Sequence, residues 1–164
     1  MSKIPLRKGA LAGLVSSVAT TVLKYMAKAQ VAAFTLTDGR IGGNWRIGAG
    51  FRKPAPTMLL EHQGRKSGQV YTTPLVYLED GDDLVIVASH GGLPKNPQWY
   101  HNLAAHPDTL VHLKGQRALP VTARPATSQE RATLWPRLVD LYSDLARSQS
   151  WSQREFPVLI LSRR

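Results

Sequence analysis

The N-terminal segment has an amphipathic pattern of helical period. Between residues 9 and 33, Ser17, Thr21, Lys24 and Lys28 fall largely on one side of the predicted helix. The apolar positions on the other side are Leu11, Leu14, Val15, Val18, Val22 and Met26. The uncharged run at positions 9–23 is 15 residues long, short of the roughly 20 that a membrane-spanning helix needs.

Three interpretations of this segment stay open. Lys3, Arg7 and Lys8 precede the uncharged run, as in a signal peptide. However, Ser and Thr dilute the run, and the amphipathic pattern continues past any cleavage point. An interfacial helix that lies on an anionic membrane suits the pattern better, and a helix that packs on its own domain suits it equally well.

A different periodicity follows a Gly- and Pro-containing linker at residues 37–56. Strands are predicted at residues 57–63, 70–78, 84–88, 109–113, 117–124 and 156–162. Asn96 and Pro97 start a short helix that ends near His106. Ser128 caps a second helix, which ends near Asp144 and lacks the Glu of a capping box at its third position.

The order of these elements predicts an α+β fold that is mainly β. Short antiparallel strands joined by tight turns favour a small barrel with peripheral helices. We divide the chain into an N-terminal helix and linker at residues 1–54 and a barrel domain at residues 55–164. The chain length of 164 residues fits one ordinary domain.

Composition narrows the chemistry. The chain has no cysteine, which excludes disulfides, a thiol nucleophile and zinc–thiolate sites and fits a cytoplasmic location. The net charge is +10, and residues 1–66 hold 11 of the 21 Lys and Arg but 2 of the 11 Asp and Glu, so this stretch carries +9 and the rest +1. Such local charge is either a solvated surface or a contact for a nucleic acid, an anionic membrane or a polyanionic small molecule.

The predicted turn between the first two barrel strands is the first candidate binding site. It consists of Gly64, Arg65, Lys66, Ser67 and Gly68. Glycines allow close backbone approach, successive N–H groups can form an anion nest, and the side chains add charge and a hydroxyl donor. The turn therefore predicts a phosphate or carboxylate site, although a plain basic hairpin turn has the same residues. It lacks the spacing of a P-loop.

The second candidate is the segment after the strand predicted at residues 84–88. A loop containing Ser89 and His90 leads into the helix that starts at Asn96. Helix N-termini attract anions, and Trp99 and Asn102 lie three residues apart, so they share one helix face. A planar ring could stack beside Trp99 while Asn102 binds a polar edge; alternatively, Trp99 only fills the core.

Other catalytic patterns are absent from the sequence. The histidines lack metal-ligand spacing, so we expect no metal site. Ser89 lies in no nucleophile elbow, and no dinucleotide-binding Gly motif is present. We also expect no nucleic acid, because no strand pair interleaves exposed aromatic and basic residues.

Together these segments resemble a known family. The stretch GRKSGQVYTTPLVYLEDGDDLVIVAS, followed by GGLPKNPQWYHNLAAHP, resembles the deazaflavin (coenzyme F420)-dependent nitroreductase and quinone reductase family over residues 55–164. The resemblance implies a split β-barrel related to flavin-binding barrels. It also implies that reduced F420 is the hydride donor for a small organic acceptor such as a quinone, an enone or a nitro compound.

The resemblance also implies which residues form the site. Cofactor contacts would come from Arg65, Lys66, Ser67, Tyr71, Thr72, Thr73, Pro74, Leu75, Val76, Val87, Ala88, Ser89, His90, Gln98, Trp99, Tyr100, His101 and Asn102. The basic turn would hold the phosphate and glutamate tail. Tyr142 would border the acceptor pocket, and Tyr142 or Ser89 could relay a proton. Relatives often have Arg and Lys where Tyr71 and His90 stand here.

Several alternatives remain at this stage. Some relatives carry a run of tyrosines in the C-terminal segment, whereas Leu145 and Ser148 stand at two such positions here, which favours quinones or enones over nitro compounds. A non-catalytic F420 carrier and a barrel that binds flavin mononucleotide (FMN) are the alternative functions. The physiological acceptor and the oligomeric state do not follow from the sequence.

Overall fold

The computed structural model describes residue 22, residues 25–45 and residues 54–164. Helix α1 covers residues 25–37. The strands are β1 Asn44–Trp45, β2 Ala55–Gln63, β3 Val70–Val76, β4 Leu78–Asp80, β5 Asp83–Val87, β6 Asp108–Leu113, β7 Gln116–Pro125 and β8 Val158–Arg163. The remaining helices are α2 Gln98–Ala105, α3 Ser128–Leu141 and α4 Asp144–Trp151, and a short 3₁₀ turn lies at His90–Gly92.

The strands form one antiparallel sheet that curls into a split β-barrel. The strand order is β1-β2-β6-β7-β8-β5-β4, and β3 pairs with β2. Only Tyr77 separates β3 from β4, so the strand predicted at residues 70–78 is in fact a bent segment whose first part pairs with β2 and whose second part pairs with β5. This bend joins the two ends of the sheet.

Two apolar clusters cover the two faces of the sheet. In β5, Leu84 and Ile86 belong to the barrel interior, whereas Val85 faces a second cluster with α3 and α4. Because side chains alternate along a strand, burial of both faces explains why β5 is an unbroken apolar run. The fold confirms the predicted mainly-β barrel with peripheral helices.

Two predicted helix starts differ from the structure. Thr127, not Ser128, caps α3: its hydroxyl accepts from the Glu130 backbone N–H (3.2 Å), and Glu130 accepts from the Thr127 N–H (2.8 Å). A capping box is therefore present, one residue earlier than predicted. Helix α2 begins after Pro97, and the Asn96 side chain does not cap it but accepts a hydrogen bond from Arg154 (2.6 Å).

The C-terminal helical region and the linker also differ from prediction. The helix predicted to run to about Asp144 ends at Leu141, and α4 follows after a break at Tyr142. The predicted linker at residues 37–56 contains β1 and the start of β2, and its residues 46–53 lie outside the described residues.

Helix α1 packs on the barrel. Phe34 is buried, and Arg117 donates to the Thr35 carbonyl (2.6 Å) and to Asp38 (2.9 Å). Of the helix predicted at residues 9–33, residues 9–21, 23 and 24 lie outside the described residues, and the described part continues to residue 37. Within the described part of the chain, no helix has the length and apolarity to cross a membrane.

Candidate active site: a groove with a cationic and an apolar half

Two adjoining cavities follow strand β3. A cavity of about 990 Å³, which we call the cationic half, is lined by Ala27, Lys28, Val31, Ala32, His62, Gly64, Arg65, Lys66, Ser67, Val70, Tyr71, Thr72, Thr73, Gln98 and Asn102. A cavity of about 460 Å³, the apolar half, is lined by Met26, Ala27, Gln30, Thr57, Thr73, Pro74, Leu75, Val76, Tyr77, Val87, Ser89, Leu138, Leu141, Tyr142 and Leu145. Ala27 and Thr73 line both, so the two halves meet there.

The turn between β2 and β3 shapes the end of the cationic half. Gly64 donates to the Gln69 carbonyl (2.7 Å), and Gly68, whose φ is +69°, donates back to the Gly64 carbonyl (2.7 Å). A Cβ added at Gly64 would lie 2.5 Å from the Ser67 hydroxyl and 2.9 Å from the Tyr71 ring. Both glycines are therefore required by backbone conformation or close packing.

This turn presents two cations that differ in how firmly they are held. Arg65 donates from Nη1 to Gln98 Oε1 (2.9 Å) and to Asn102 Oδ1 (3.3 Å), and its backbone N–H also reaches Asn102 Oδ1 (3.2 Å). Helix α2 therefore orients the Arg65 guanidinium. Lys66 makes no hydrogen bond or ion pair with the described part of the chain, so its ammonium is available to a ligand.

A buried hydrogen-bond chain leads from the turn to the junction of the two halves. Asn102 Nδ2 lies 2.9 Å from His62 Nδ1, and His62 Nε2 lies 3.0 Å from Thr73 Oγ1. Asn102 and His62 are both buried, and burial lowers the pKa of His62 below its ordinary value. The His62 ring also stacks on Tyr71 with centroids 5.7 Å apart. Sequence reasoning overlooked His62, because a histidine inside a predicted strand carries no signal of its own.

The apolar half has few polar groups. Tyr142 lies at the break between α3 and α4, and burial together with the charge of Asp144 raises the pKa of its phenol, so the hydroxyl stays protonated at neutral pH. Ser89, which follows β5, also lines this half. The hydroxyl of Thr57 is buried without a hydrogen-bond partner among the described residues.

Arg154 holds the loop that carries Ser89. Its guanidinium donates to the carbonyls of Ala88 (3.0 Å), Ser89 (2.7 Å) and Leu93 (2.9 Å), besides the Asn96 amide. Burial lowers the pKa of Arg154, although the group remains charged. The sequence offered no sign of this role, because Arg154 lies more than 50 positions beyond the loop that it binds.

The groove brings together most, but not all, of the residues inferred from the sequence. Those on the cationic half are Arg65, Lys66, Ser67, Tyr71, Thr72, Thr73, Gln98 and Asn102. Those on the apolar half are Thr73, Pro74, Leu75, Val76, Val87, Ser89 and Tyr142. Ala88, His90, Trp99, Tyr100 and His101 line neither; Trp99 and Ala88 lie in the barrel core, and His90 is exposed with its ring 2.9 Å from the Lys95 carbonyl.

The described residues do not support a metal centre. No group of three or more His, Asp or Glu side chains among the described residues could hold a metal ion. A split barrel with one long groove, cationic at one end and apolar at the other, defines a protein that binds an anionic small molecule with a flat or apolar portion.

Comparison with known proteins names the family. The model of the F420H(2)-dependent quinone reductase family matches residues 26–163. A Mycobacterium tuberculosis protein assigned by name to the same reductases is 53% identical over 116 residues, which cover 71% of this chain and 97% of that protein. A second M. tuberculosis protein, an F420H(2)-dependent quinone reductase, is 40% identical over 126 residues, covering 75% and 84%.

Solved structures agree with this assignment. The structure of an F420-H2 dependent reductase superposes with a TM-score of 0.60 at 36% identity, covering 65% of this chain and 94% of that chain. The chain described here belongs to the F420H(2)-dependent quinone reductase family. It is an oxidoreductase with a split β-barrel fold, and its cofactor is coenzyme F420.

Proposed function

We propose that this chain transfers a hydride from reduced F420 to a quinone-like acceptor, with the anionic tail of F420 in the cationic half of the groove and the acceptor in the apolar half. The observation that carries this proposal is the division of one groove into two chemically different halves that meet at Ala27 and Thr73. When bound, the reduced deazaflavin supplies the hydride.

The residues of the cationic half suit the tail of the cofactor. Phosphate and carboxylate groups need charged donors and hydroxyls, which Arg65, Lys66 and Ser67 provide on one turn. Because Gln98 and Asn102 already orient the Arg65 guanidinium, little side-chain freedom is lost when an anion binds. The same local charge attracts an anionic ligand at longer range.

The residues of the apolar half suit a hydride acceptor. Reduction of a carbonyl places negative charge on its oxygen, and a hydrogen-bond donor aimed at that oxygen stabilises the transition state. The protonated hydroxyl of Tyr142 is such a donor, and Ser89 or water could deliver the proton that completes the reduction. Leu138, Leu141 and Leu145 give the wall that a quinone ring requires.

Titration with oxidised F420, followed by its fluorescence, tests the cofactor assignment. We expect saturable binding that weakens with salt and exceeds the affinity for FMN. Turnover of a quinone with reduced F420 then distinguishes the enzyme from a non-catalytic F420 carrier. Tighter binding of FMN than of F420 would favour an FMN barrel, and tight binding of DNA at physiological salt would favour a nucleic-acid-binding barrel.

We also propose that the protein is cytoplasmic and that residues 1–33 attach it reversibly to anionic membranes without spanning them. The basic, amphipathic sequence of residues 1–33 supports this, as does the exposure of Val22, Tyr25 and Met26 at the start of the described helix. Co-sedimentation with phosphatidylglycerol vesicles should fall in high salt and on truncation before Phe34. A full-length chain that ignores these vesicles at low salt would leave the helix with a purely structural role.

A further inference from the structure

We propose that His62 is a positioning residue whose Nε2–H tautomer makes the Thr73 hydroxyl a hydrogen-bond donor to the ligand where the two halves of the groove meet. This inference deepens the proposed function and rests on it. It assigns a role to His62, a buried residue at the wall of the cationic half whose side chain reaches the groove next to Thr73, and it follows from the direction of each hydrogen bond in the buried chain.

The direction of the chain is set at Asn102. The backbone N–H and the guanidinium of Arg65 can only donate, and both face the same atom of the Asn102 amide, at 3.2 Å and 3.3 Å. That atom must therefore be the oxygen. The other end of the amide is then the NH2 group, a donor, and it lies 2.9 Å from His62 Nδ1.

This donor determines the tautomer of His62. Because Nδ1 accepts the Asn102 N–H, it carries no proton, and the proton of the neutral ring must be on Nε2. In an imidazolium, the N–H at Nδ1 would face the N–H of Asn102, so two donors would oppose each other without an acceptor. The ring is 5% exposed and has no carboxylate among its hydrogen-bond partners, so the neutral form is favoured.

The consequence falls on Thr73. Its oxygen, 3.0 Å from His62 Nε2, accepts the imidazole N–H, so the single hydroxyl proton is available for another acceptor. Thr73 lines both halves of the groove. A ligand that spans the junction therefore meets a donor there and should present a carbonyl oxygen or an unprotonated ring nitrogen. The oxidised deazaflavin ring system offers acceptors of this chemical class.

The first experiment measures the tautomer directly. Nitrogen-15 NMR of the imidazole in the ligand-free protein should show His62 protonated on Nε2 and bare on Nδ1 at neutral pH. Asn102→Asp replaces the donor by a carboxylate, which also favours the imidazolium. At a pH high enough to keep the ring neutral, it should carry its proton on Nδ1, and Nε2 should then accept from Thr73. An Nδ1–H tautomer or an imidazolium in the unmodified protein would overturn the proposal.

The second experiment asks whether the direction of the chain matters to the ligand. Thr73→Val should weaken the binding of oxidised F420 by about 2- to 12-fold, the range expected for one neutral hydrogen bond. In the Asn102→Asp background, where the hydroxyl proton already points to His62, the same substitution should change the affinity less than 2-fold. Equal losses in both backgrounds, at a pH where the NMR shows the Nδ1–H tautomer in Asn102→Asp, would show that Thr73 acts only through packing and would overturn the proposal.

Matched variants guard against loss of the fold. Thr73→Ser keeps the hydroxyl and should retain the affinity. Thr122→Val removes a hydroxyl outside the groove lining whose only hydrogen-bond partner among the described residues is Asp108, and it should leave the affinity unchanged. His62→Gln can accept with its oxygen and donate with its nitrogen, so it should rescue binding relative to His62→Phe. If the folded, unmodified chain does not bind F420 at all, the proposed function fails, while the tautomer measurement is still decided independently.

Discussion

The two halves of the groove differ in how the chain builds them. The cationic half takes Arg65 and Lys66 from one turn at residues 64–68 and Lys28 from α1, and hydrogen bonds to α2 already hold Arg65 in place. The apolar half is assembled from α1, β2, β3, the end of β5 and the α3–α4 region, and its Thr57 hydroxyl has no partner among the described residues. In the proposed function, the cationic half therefore supplies affinity for the F420 tail, and the apolar half supplies the contacts to the acceptor.

This difference has a mechanistic consequence. An interaction made equally in the ground state and the transition state increases affinity without increasing kcat, whereas one that strengthens as charge develops increases kcat. Contacts of the cationic half, where we propose that the tail binds, should be of the first kind. Contacts near Tyr142 and Ser89 should be of the second kind, so substitutions in the two halves should affect different kinetic constants.

The largest expected effect is the removal of a cation from the turn. Arg65→Ala and Lys66→Ala should each weaken F420 binding by roughly 10- to 150-fold, the range for a lost charge-assisted contact of about 1.5–3 kcal/mol. Fluorescence titration at two salt concentrations measures this loss, and Lys114→Ala on the remote β6–β7 turn is the matched control. Unchanged affinity in both variants would falsify the assignment of the tail.

The next effect should separate the halves. Tyr142→Phe keeps the ring and removes the hydroxyl, so kcat for a quinone should fall tenfold or more, which corresponds to about 1.4 kcal/mol, while the affinity for F420 stays the same. Tyr77→Phe, which removes a second phenol hydroxyl from the same cavity, is the control, because burial and the neighbouring charge of Glu79 raise the pKa of that phenol as well and keep it protonated. Rates equal to the unmodified protein would remove Tyr142 from the mechanism and leave Ser89 or water as the proton source.

A third substitution tests whether the cationic half depends on the core behind it. Trp99 is buried on α2, directly after Gln98 and three positions before Asn102. Trp99→Phe should keep the fold, lower the free energy of unfolding by about 1 kcal/mol and weaken F420 binding, because α2 positions Arg65. Normal affinity per folded molecule, with a large loss of thermal stability, would show that Trp99 acts in the core alone.

The unpartnered hydroxyl of the apolar half allows the opposite test. Thr57→Val removes a buried oxygen that has no partner in the described residues, so the ligand-free protein should become more stable, by about 1 kcal/mol. The KM for a quinone should rise if a ligand uses this hydroxyl. Chemical denaturation and steady-state kinetics measure the two effects; lower stability would mean that Thr57 has an internal partner.

The smallest effect concerns pH. Burial holds the pKa of His62 below its ordinary value of 6.5. Between the lowered pKa and 6.5, His62 is therefore more protonated in the unfolded chain than in the folded chain. Its contribution to stability is therefore complete above about pH 6.5 and is lost as the pH falls below that value toward the lowered pKa. Denaturation at several pH values in this window measures how the free energy of unfolding depends on pH. That dependence should be weaker in His62→Gln than in the unmodified chain, and an identical dependence would mean that His62 is not desolvated.

Local sequence was sufficient for most of the elements and for the cationic turn, but not for β1, the bend at Tyr77 or the break at Tyr142. Short strand-like runs between turn residues identified most of the barrel strands, because turn residues and short apolar runs are local signals, and glycines at positions 64 and 68 marked a tight turn that carries Arg65 and Lys66. The family resemblance added the split barrel and the cofactor. The helix start at Thr127 was missed by one residue because Thr and Ser at adjacent positions both make good caps.

Only the tertiary structure decided which side chains meet. Arg65 bonds to Asn102, 37 positions away in the sequence, and Arg154 bonds to the Ser89 carbonyl, 65 positions away. At such separations, sequence spacing does not predict contact. His62 and Thr57 both lie in strand β2. In the folded barrel, His62 makes two side-chain hydrogen bonds, whereas the Thr57 hydroxyl has no partner among the described residues. Periodicity determines the faces of an element, whereas packing between distant elements determines what each face touches.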